Sequence, residues 1–471
     1  MIPETRFTCI HISTVWRQIL LSLPQLWKQL NVAFKKEFIM ANGHLRRDIE
    51  KRFRTFLMPS LESFQMTTDV DFSIPLSWVT RSECKGIKKI VVFDYNDYEL
   101  MPQISMQKTL PYFATSLAHL AITSASSPRG SYMRFLLSVL PKLQSLQYRV
   151  RRLLFGDPSP AMQNHFSGRI VPQGSDLRLL AWPVVSDSSG QRIAEYLAAY
   201  CPKLRDIAIA DFDEDELDSN TFVDTVLRDC HELRCFSTGP YRLVRNSDME
   251  EQNGGGLKFI LFHHKIPFPQ KTIASIFEEQ QQNLEEFYYA AGSIVAFPLR
   301  MVESSICLQR LHTLCIDSYG QLKYQPSAPL TYILRGCPVL QNICFSHVKV
   351  GRDISSAIVA VPQLTMLTLY ECKFKSCDAL CHLVGMLASK NTLKGLTLAP
   401  DPLRSGSHLY LLIPLLFSVG SLRYLRLVGF NSMIRDGSIE YVEDSRRCQR
   451  LWPRPKPGGV TFHAVIIRCS G

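Results

Sequence analysis

No apolar run in this chain is long enough to cross a bilayer as a helix. The longest, Leu409–Val419, is interrupted at Pro414 and stops well short of the ~20 residues a span requires. Cysteine is too thin for a secreted scaffold. Its fourteen copies in 471 residues are scattered, without a repeated CxxC pair, below the density at which disulfides stand in for a core. The opening MIPETRFTCIHISTVW carries Glu4 and Arg6 and lacks the apolar stretch of a secretory leader. The expectation is a soluble chain of the cytoplasm, the nucleus or both, with reduced thiols and no membrane partner. Concentrated charge is missing from the middle. The net charge is +11, but residues 1–60 hold +6 and residues 435–471 hold +3, which leaves +2 for all the rest. A nucleic-acid-binding stripe would run through the fold instead, so no nucleic-acid partner is expected.

Catalytic signatures are missing as well. GxSxG does not occur, and no nucleophile stands with a base. Gly254-Gly255-Gly256 come directly before the apolar stretch Leu257–Phe262, whereas a phosphate loop needs its glycines after a strand and a Lys-Ser/Thr ending. The acidic run Asp211, Asp213, Glu214, Asp215, Glu216, Asp218 has neither the bend-forming glycine nor the distal Glu of a calcium loop. It reads as a solvated loop whose charge favours the start of a helix at Phe222. Cys372, Cys377, Cys381 and His382 are potential soft ligands. Cys381, however, shares helical spacing with Leu380, Leu383 and Leu387, so small buried hydrophobes are the better reading. His263-His264 reads as a surface turn after a strand ending at Phe262. The expectation is a chain that is not an enzyme and holds no metal or cofactor.

What the sequence does have is a repeat. Hydrophobic residues make up 46% of the chain and charged ones 20%, a globular composition that is long enough for about three domains or one array. A hexamer with apolar first, fourth and sixth positions recurs. Its first positions are Leu61, Ile87, Leu117, Leu143, Leu177, Leu204, Leu233, Leu257, Leu284, Leu311, Leu340, Leu364, Leu393 and Leu422, a mean spacing of about 28 residues. Between hexamers, Tyr132–Leu140, Ile193–Tyr200, Phe222–Asp229 and Leu409–Val419 show helical three- and four-residue spacing. Pro141, Pro202, Pro338 and Pro362 each stand two residues before a hexamer. Each forces the preceding residue out of helical geometry and marks a stop. Helix, stop and short strand in repetition predict a solenoid with a parallel sheet inside and helices outside, because no unit buries its apolar face alone.

The two-residue period of a strand assigns the faces. Leu367 and Leu369 point to the core, while Met366, Thr368 and Tyr370 point to the concave surface. The same arithmetic brings Tyr424, Arg426 and Val428, then Glu286, Tyr288 and Ala290, then Thr313, Cys315 and Asp317 to that surface. Tyr, Arg and Met are enriched at protein interfaces. The candidate partner-binding residues are therefore Glu286, Tyr288, Thr313, Asp317, Met366, Tyr370, Tyr424 and Arg426.

Units of strand, loop and long helix of this length resemble the leucine-rich repeats of F-box proteins, over about Leu61–Phe430. The loop position that is often Asn or Cys in such repeats is Cys372 in LTMLTLYEC, with Tyr95, Phe212 and Phe430 elsewhere. Residues 10–30, IHISTVWRQILLSLPQLWKQL, strengthen the resemblance. Trp16, Arg17, Ile19, Leu20, Leu23, Pro24, Leu26 and Trp27 are similar to the second half of an F-box, where a WR helix leads through proline into LW. The resemblance implies an α/β leucine-rich-repeat horseshoe behind a short helical F-box-like segment. It also implies a substrate-recognition adaptor of an SCF-type ubiquitin ligase. Trp16, Ile19, Leu20, Leu23, Pro24, Leu26 and Trp27 would then form the F-box core that meets the linker subunit, and through it the cullin scaffold, and the concave face would hold the target. The family's opening LPxE-like helix has no counterpart here, since the WR helix follows Met1 within a dozen residues. A leucine-rich scaffold without a ligase link is therefore the alternative, and a regulator of a small GTPase has no distinguishing residue. The domains expected are an F-box-like helical cap over 1–57, the solenoid over 58–434, and a basic, proline-rich, partly disordered tail over 435–471. Within that tail, Val460–Arg468 is apolar enough to add a strand. The long gap from Leu143 to Leu177 is expected to project as a loop.

Overall fold

The structure is a computed structural model that describes residues 28–34, 50–51, 60–69, 72–82, 84–95, 109–124, 130–150, 174–185, 190–212, 216–238, 256–264, 270–291, 307–318, 328–400, 412–427 and 463–464. The chain divides into two compact units, Met1–Leu233 with Arg242–Val244, and Arg234–Tyr241 with Arg245–Gly471. Both are α/β, and each holds an open, parallel, repeat-like sheet.

In the first unit, strands β1 (Gln29–Phe34), β2 (Ser63–Thr68), β3 (Lys89–Asp94), β4 (His119–Ser124), β5 (Ser145–Val150), β6 (Leu179–Val185) and β7 (Asp206–Phe212) pair in chain order, every neighbour parallel. Between them run α1 (Ser73–Thr80), a 3-10 turn at Leu110–Phe113, α2 (Gly130–Val139) and α3 (Gly190–Tyr200), and α4 (Glu216–Asp229) follows β7. In the second unit β8 (Cys235–Thr238), β9 (Phe259–His264), β10 (Glu286–Ala291), β11 (Thr313–Asp317), β12 (Asn342–Ser346), β14 (Met366–Phe374), β15 (Gly395–Pro400), β16 (Tyr424–Leu427) and β17 (His463–Ala464) pair in that order. A two-residue strand β13 (Lys349–Val350) pairs beside β14. The helices here are α5 (Gln270–Glu279), α6 (Ala328–Arg335), α7 (Arg352–Ala360), α8 (Cys377–Ala388) and α9 (Leu412–Ser418).

The hexamer is visible as geometry. In all fourteen copies the strand begins two residues after the leading apolar residue, and every leading residue, from Leu61 to Leu422, is buried to below 5% exposure. The fourth and sixth positions are buried with it, as in Leu61, Phe64 and Met66 or Leu393, Leu396 and Leu398. Burying one such side chain stabilises the fold by about 1.5–3 kcal/mol. Register is held by the main chain. The carbonyl of the second hexamer residue accepts two N–H groups from the next unit: Glu62 from Lys88 and Lys89, Gln341 from Thr365 and Met366, Lys394 from Arg423 and Tyr424.

In eight units the residue three places before the hexamer is an apolar core residue. Cys84, Leu140, Cys201, Cys230, Leu308, Cys337, Val361 and Val419 all stand there, and all are buried. The four cysteines are thus core residues at one repeat position, and burial pushes the thiols of Cys201 and Cys230 up to about 12. The proline stops act as expected. Val361, before Pro362, has ψ 116°, an extended conformation outside the helix. At the same position Lys390 extends its ammonium to the Val361 carbonyl of the preceding unit at 2.7 Å.

Three expectations are corrected. The helical cap proposed for 1–57 gives way at Gln29–Phe34 to a strand in register with β2, and the Lys28 carbonyl accepts from Glu62 and Ser63 as the Glu62 carbonyl does from Lys88 and Lys89. The segment WKQLNV is a hexamer led by tryptophan, and Phe34, beyond it, packs edge-on against Trp78 at 5.8 Å. The strand expected to stop at Phe262 continues through His264, because His263 and His264 pair with Ala290 and Ala291. The helix expected to start at Phe222 begins at Glu216, since the acidic run supplies the negative charge that a helix N-terminus favours. Of the expected strand Val460–Arg468, His463–Ala464 is strand and the other residues lie outside the described ones. The proposed loop after Leu143 and the rest of the tail fall largely outside the described residues.

Candidate functional site

In the second unit the strand residues between the buried positions form an open face. Each ladder pair places equivalent hexamer positions side by side, so the face is built in rows. The middle row runs Tyr288, Cys315, Cys344, Thr368, Thr397 and Arg426 across β10, β11, β12, β14, β15 and β16. On one side of it lie Glu286, Thr313, Asn342, Met366, Gly395 and Tyr424, and on the other Ala290, Asp317, Ser346, Tyr370 and Ala399.

All eight proposed partner-binding residues lie on this face. Met366 and Tyr370 are its most exposed apolar side chains, at 38% and 37%. Met366 lies over Gly395, where any Cβ would collide with its sulfur, so the glycine in β15 makes room for the methionine of β14. Leu367 and Leu369, alternating with them, are fully buried. Glu286 and Tyr288 form a local pair, the phenol donating to the carboxylate at 3.0 Å, and Phe259 packs on the Tyr288 ring at 5.3 Å. Burial pushes the Tyr288 phenol above its ordinary range, and the Glu286 charge adds to that shift. Thr313 is buried instead of presented to solvent, its hydroxyl accepting from Asn342 at 3.1 Å. Tyr424 and Arg426 are half-buried, and the Arg426 Nε is buried without a hydrogen-bond partner among the described residues. A buried donor of this kind costs free energy until an acceptor meets it.

One feature of the face was not foreseen. His347 follows β12 and joins Asp317 on β11 to Glu371 on β14, its Nδ1 lying 2.9 Å from Asp317 Oδ1 and its Nε2 2.8 Å from Glu371 Oε2. His347 and Glu371 occupy the same position of successive units, and both have left-handed backbones, φ 55° and 48°. Such conformations are costly for side chains other than glycine. Burial disfavours the imidazolium, but the Asp317 and Glu371 carboxylates outweigh it and raise the His347 pKa above 6.5. The signal in the sequence was positional, an ionisable residue seven places after two consecutive leading leucines, but only the ladder brings the three side chains together.

Of the soft-ligand group, the Cys377 side chain lies outside the described residues. Cys372 is buried with its thiol donating to the Phe345 carbonyl at 3.3 Å, Cys381 is half-buried in α8, and His382 is exposed. Among the described residues no three His, Cys, Asp or Glu side chains gather around a common point for a metal, and no helix is long and apolar enough to cross a membrane. Trp16, Ile19, Leu20, Leu23, Pro24, Leu26 and Trp27 lie outside the described residues.

A scan against protein-family models returned no match, and no curated protein matches the chain. The class the fold defines is an α/β repeat protein built on parallel sheet, an architecture compatible with a leucine-rich-repeat solenoid.

Proposed function

We propose that the chain is a leucine-rich-repeat recognition protein that captures another protein on the open face of β10–β16. By the resemblance of residues 10–30, it would serve as the substrate-recognition adaptor of an SCF-type ubiquitin ligase. The observation that carries the recognition reading is exposed Tyr370 edge-on to His347 at 6.3 Å, beside the Asp317–His347–Glu371 chain, with exposed Met366 on the same open face. Apolar area and fixed charge side by side suit a protein partner, and thioether, phenol and carboxylate are the groups a basic, partly apolar segment would meet. The adaptor role adds proximity: a target held on this face is presented at high effective concentration to a recruited conjugating enzyme.

The adaptor reading is tested by co-purifying the full chain with the linker subunit. Retention of the linker, lost in Leu20→Asp but kept in Tyr370→Ala, is the expected result. No retention by the parent chain leaves the second reading, a repeat scaffold without a ligase link.

A further inference from the structure

Among the described cysteines, six are buried, and Cys307, Cys315, Cys344 and Cys381 are half-buried. Cys315 on β11 and Cys344 on β12 are half-buried, on the open face, and directly paired in the parallel ladder. Cys84, Cys201, Cys230, Cys235, Cys337 and Cys372 are buried by comparison. Paired residues of neighbouring parallel strands point to the same side, and the strands lie about 4.8 Å apart, inside the ~4.4–6.8 Å range of Cα separations that a disulfide spans. The two side chains are coupled electrostatically, the pairing lowering the Cys344 pKa and raising that of Cys315. Neighbouring ladder positions hold them in place: Asn342 bonds to Thr313 on one side, and Asp317 pairs with Ser346 on the other.

We propose that Cys315 and Cys344 form a reversible dithiol that closes to an intramolecular disulfide when a hydroperoxide is the oxidant. The Cys344 thiolate attacks one peroxide oxygen, the S–O bond forms, the O–O bond breaks, and the leaving oxygen departs as water after taking a proton. The Cys315 sulfur then attacks the Cys344 sulfenic acid, the S–S bond forms, the S–O bond breaks, and a second water leaves with the Cys315 proton. Two thiols and one hydrogen peroxide thus yield one disulfide and two waters. That coupling favours this division of labour, because it holds the Cys344 thiol below its ordinary range and the Cys315 thiol above it. The Asp317 charge works against the thiolate but does not reverse the direction. Parallel side chains give the bond a constrained geometry, which makes it readily reducible. The inference does not depend on the identity of any partner.

The test treats the full chain with stoichiometric hydrogen peroxide, blocks free thiols, and digests with trypsin without reductant. A species linking Leu311–Lys323 to Gly336–Lys349 is expected, removed by dithiothreitol. Fragmentation must assign the link to Cys344, because Cys337 shares that peptide. In Cys315→Ser the link should vanish and Cys344 should become reactive to a sulfenic-acid probe. In Cys201→Ser the link should form as in the parent chain. A link through Cys337, random links among many cysteines, or over-oxidised Cys344 in the parent chain with Cys315 still free would each overturn the proposal. The parent-chain measurement stands even if a variant folds poorly.

Discussion

At the scale of single residues, position in the hexamer separates stability from recognition. Leu367 is fully buried between Met366 and Thr368, so Leu367→Ala should cost about 2–5 kcal/mol in denaturant unfolding. A neutral result would place it on the open face. Tyr370 stands on the other side of the strand and is exposed. Tyr370→Ala should leave the melting temperature within a few degrees while weakening partner capture, and Tyr424→Ala and Arg426→Ala should do the same if their half-buried side chains are not structural. His347 supplies the pH dependence. Its folded pKa is raised above 6.5, so the bridge contributes its full stability below pH 6.5 and loses it as pH rises through the folded value. An NMR titration should place the imidazole above 6.5, and Glu371→Gln should bring it down. An unchanged pKa in that variant would mean the carboxylate is not its partner in solution. The alternation of Leu367 and Leu369 with Met366 and Tyr370 was legible in the sequence. The meeting of Asp317, His347 and Glu371 was not, because those residues are 24 to 30 positions apart and no local period joins them.

At the scale of elements, the informative positions are the ends. Ser376 caps α8, its hydroxyl accepting the Ala379 N–H at 3.3 Å. Replacing it by alanine should cost about 0.5–2 kcal/mol in thermal or chemical unfolding. Gly256, just before Leu257, has φ +105°, and a Cβ there would collide with Asn283. Gly256→Ala should therefore destabilise the second unit by about 1–3 kcal/mol, and Asn283→Ala should relieve only the steric part of that loss. The strand starts, several proline stops and the helices after β4 and β6 could be read from sequence to within a few residues, since each rests on local backbone chemistry. β1 was overlooked because tryptophan leads its hexamer in place of leucine, and the segment sits next to a convincing helical pattern. The start of α4 was misplaced because apolar spacing begins only at Phe222, whereas charge starts the helix at Glu216.

At the scale of the whole molecule, stability is a matter of neighbours. Leu396 of β15 is buried between Leu367 of β14 and Leu425 of β16 in the ladder, and its strand is bonded to both. A charge placed there by Leu396→Asp should raise amide exchange first in β14, β15 and β16, with the effect fading toward β9. Uniform loss of protection across the second unit would point to one cooperative core in place of stacked units. Surface pairs follow the same logic. Glu62 lies between Lys28 and Lys88 of adjoining units at 3.5 and 3.4 Å, and exposed pairs of this kind are worth little each.

The amino-acid order alone determined that the chain is built of similar units, which side chains of each strand enter the core, and where several helices stop. Those properties depend on periods of two, of three to four, and of about 28 residues, and a period is a one-dimensional quantity. Tertiary structure alone decided which residues of different units become neighbours. The ladder register brings Cys315 against Cys344, lays Met366 over Gly395, and strings His347 between two carboxylates. Contacts across strands are set by which backbone carbonyl meets which amide, and the hydrophobic pattern of one strand carries no record of its neighbour's chemistry.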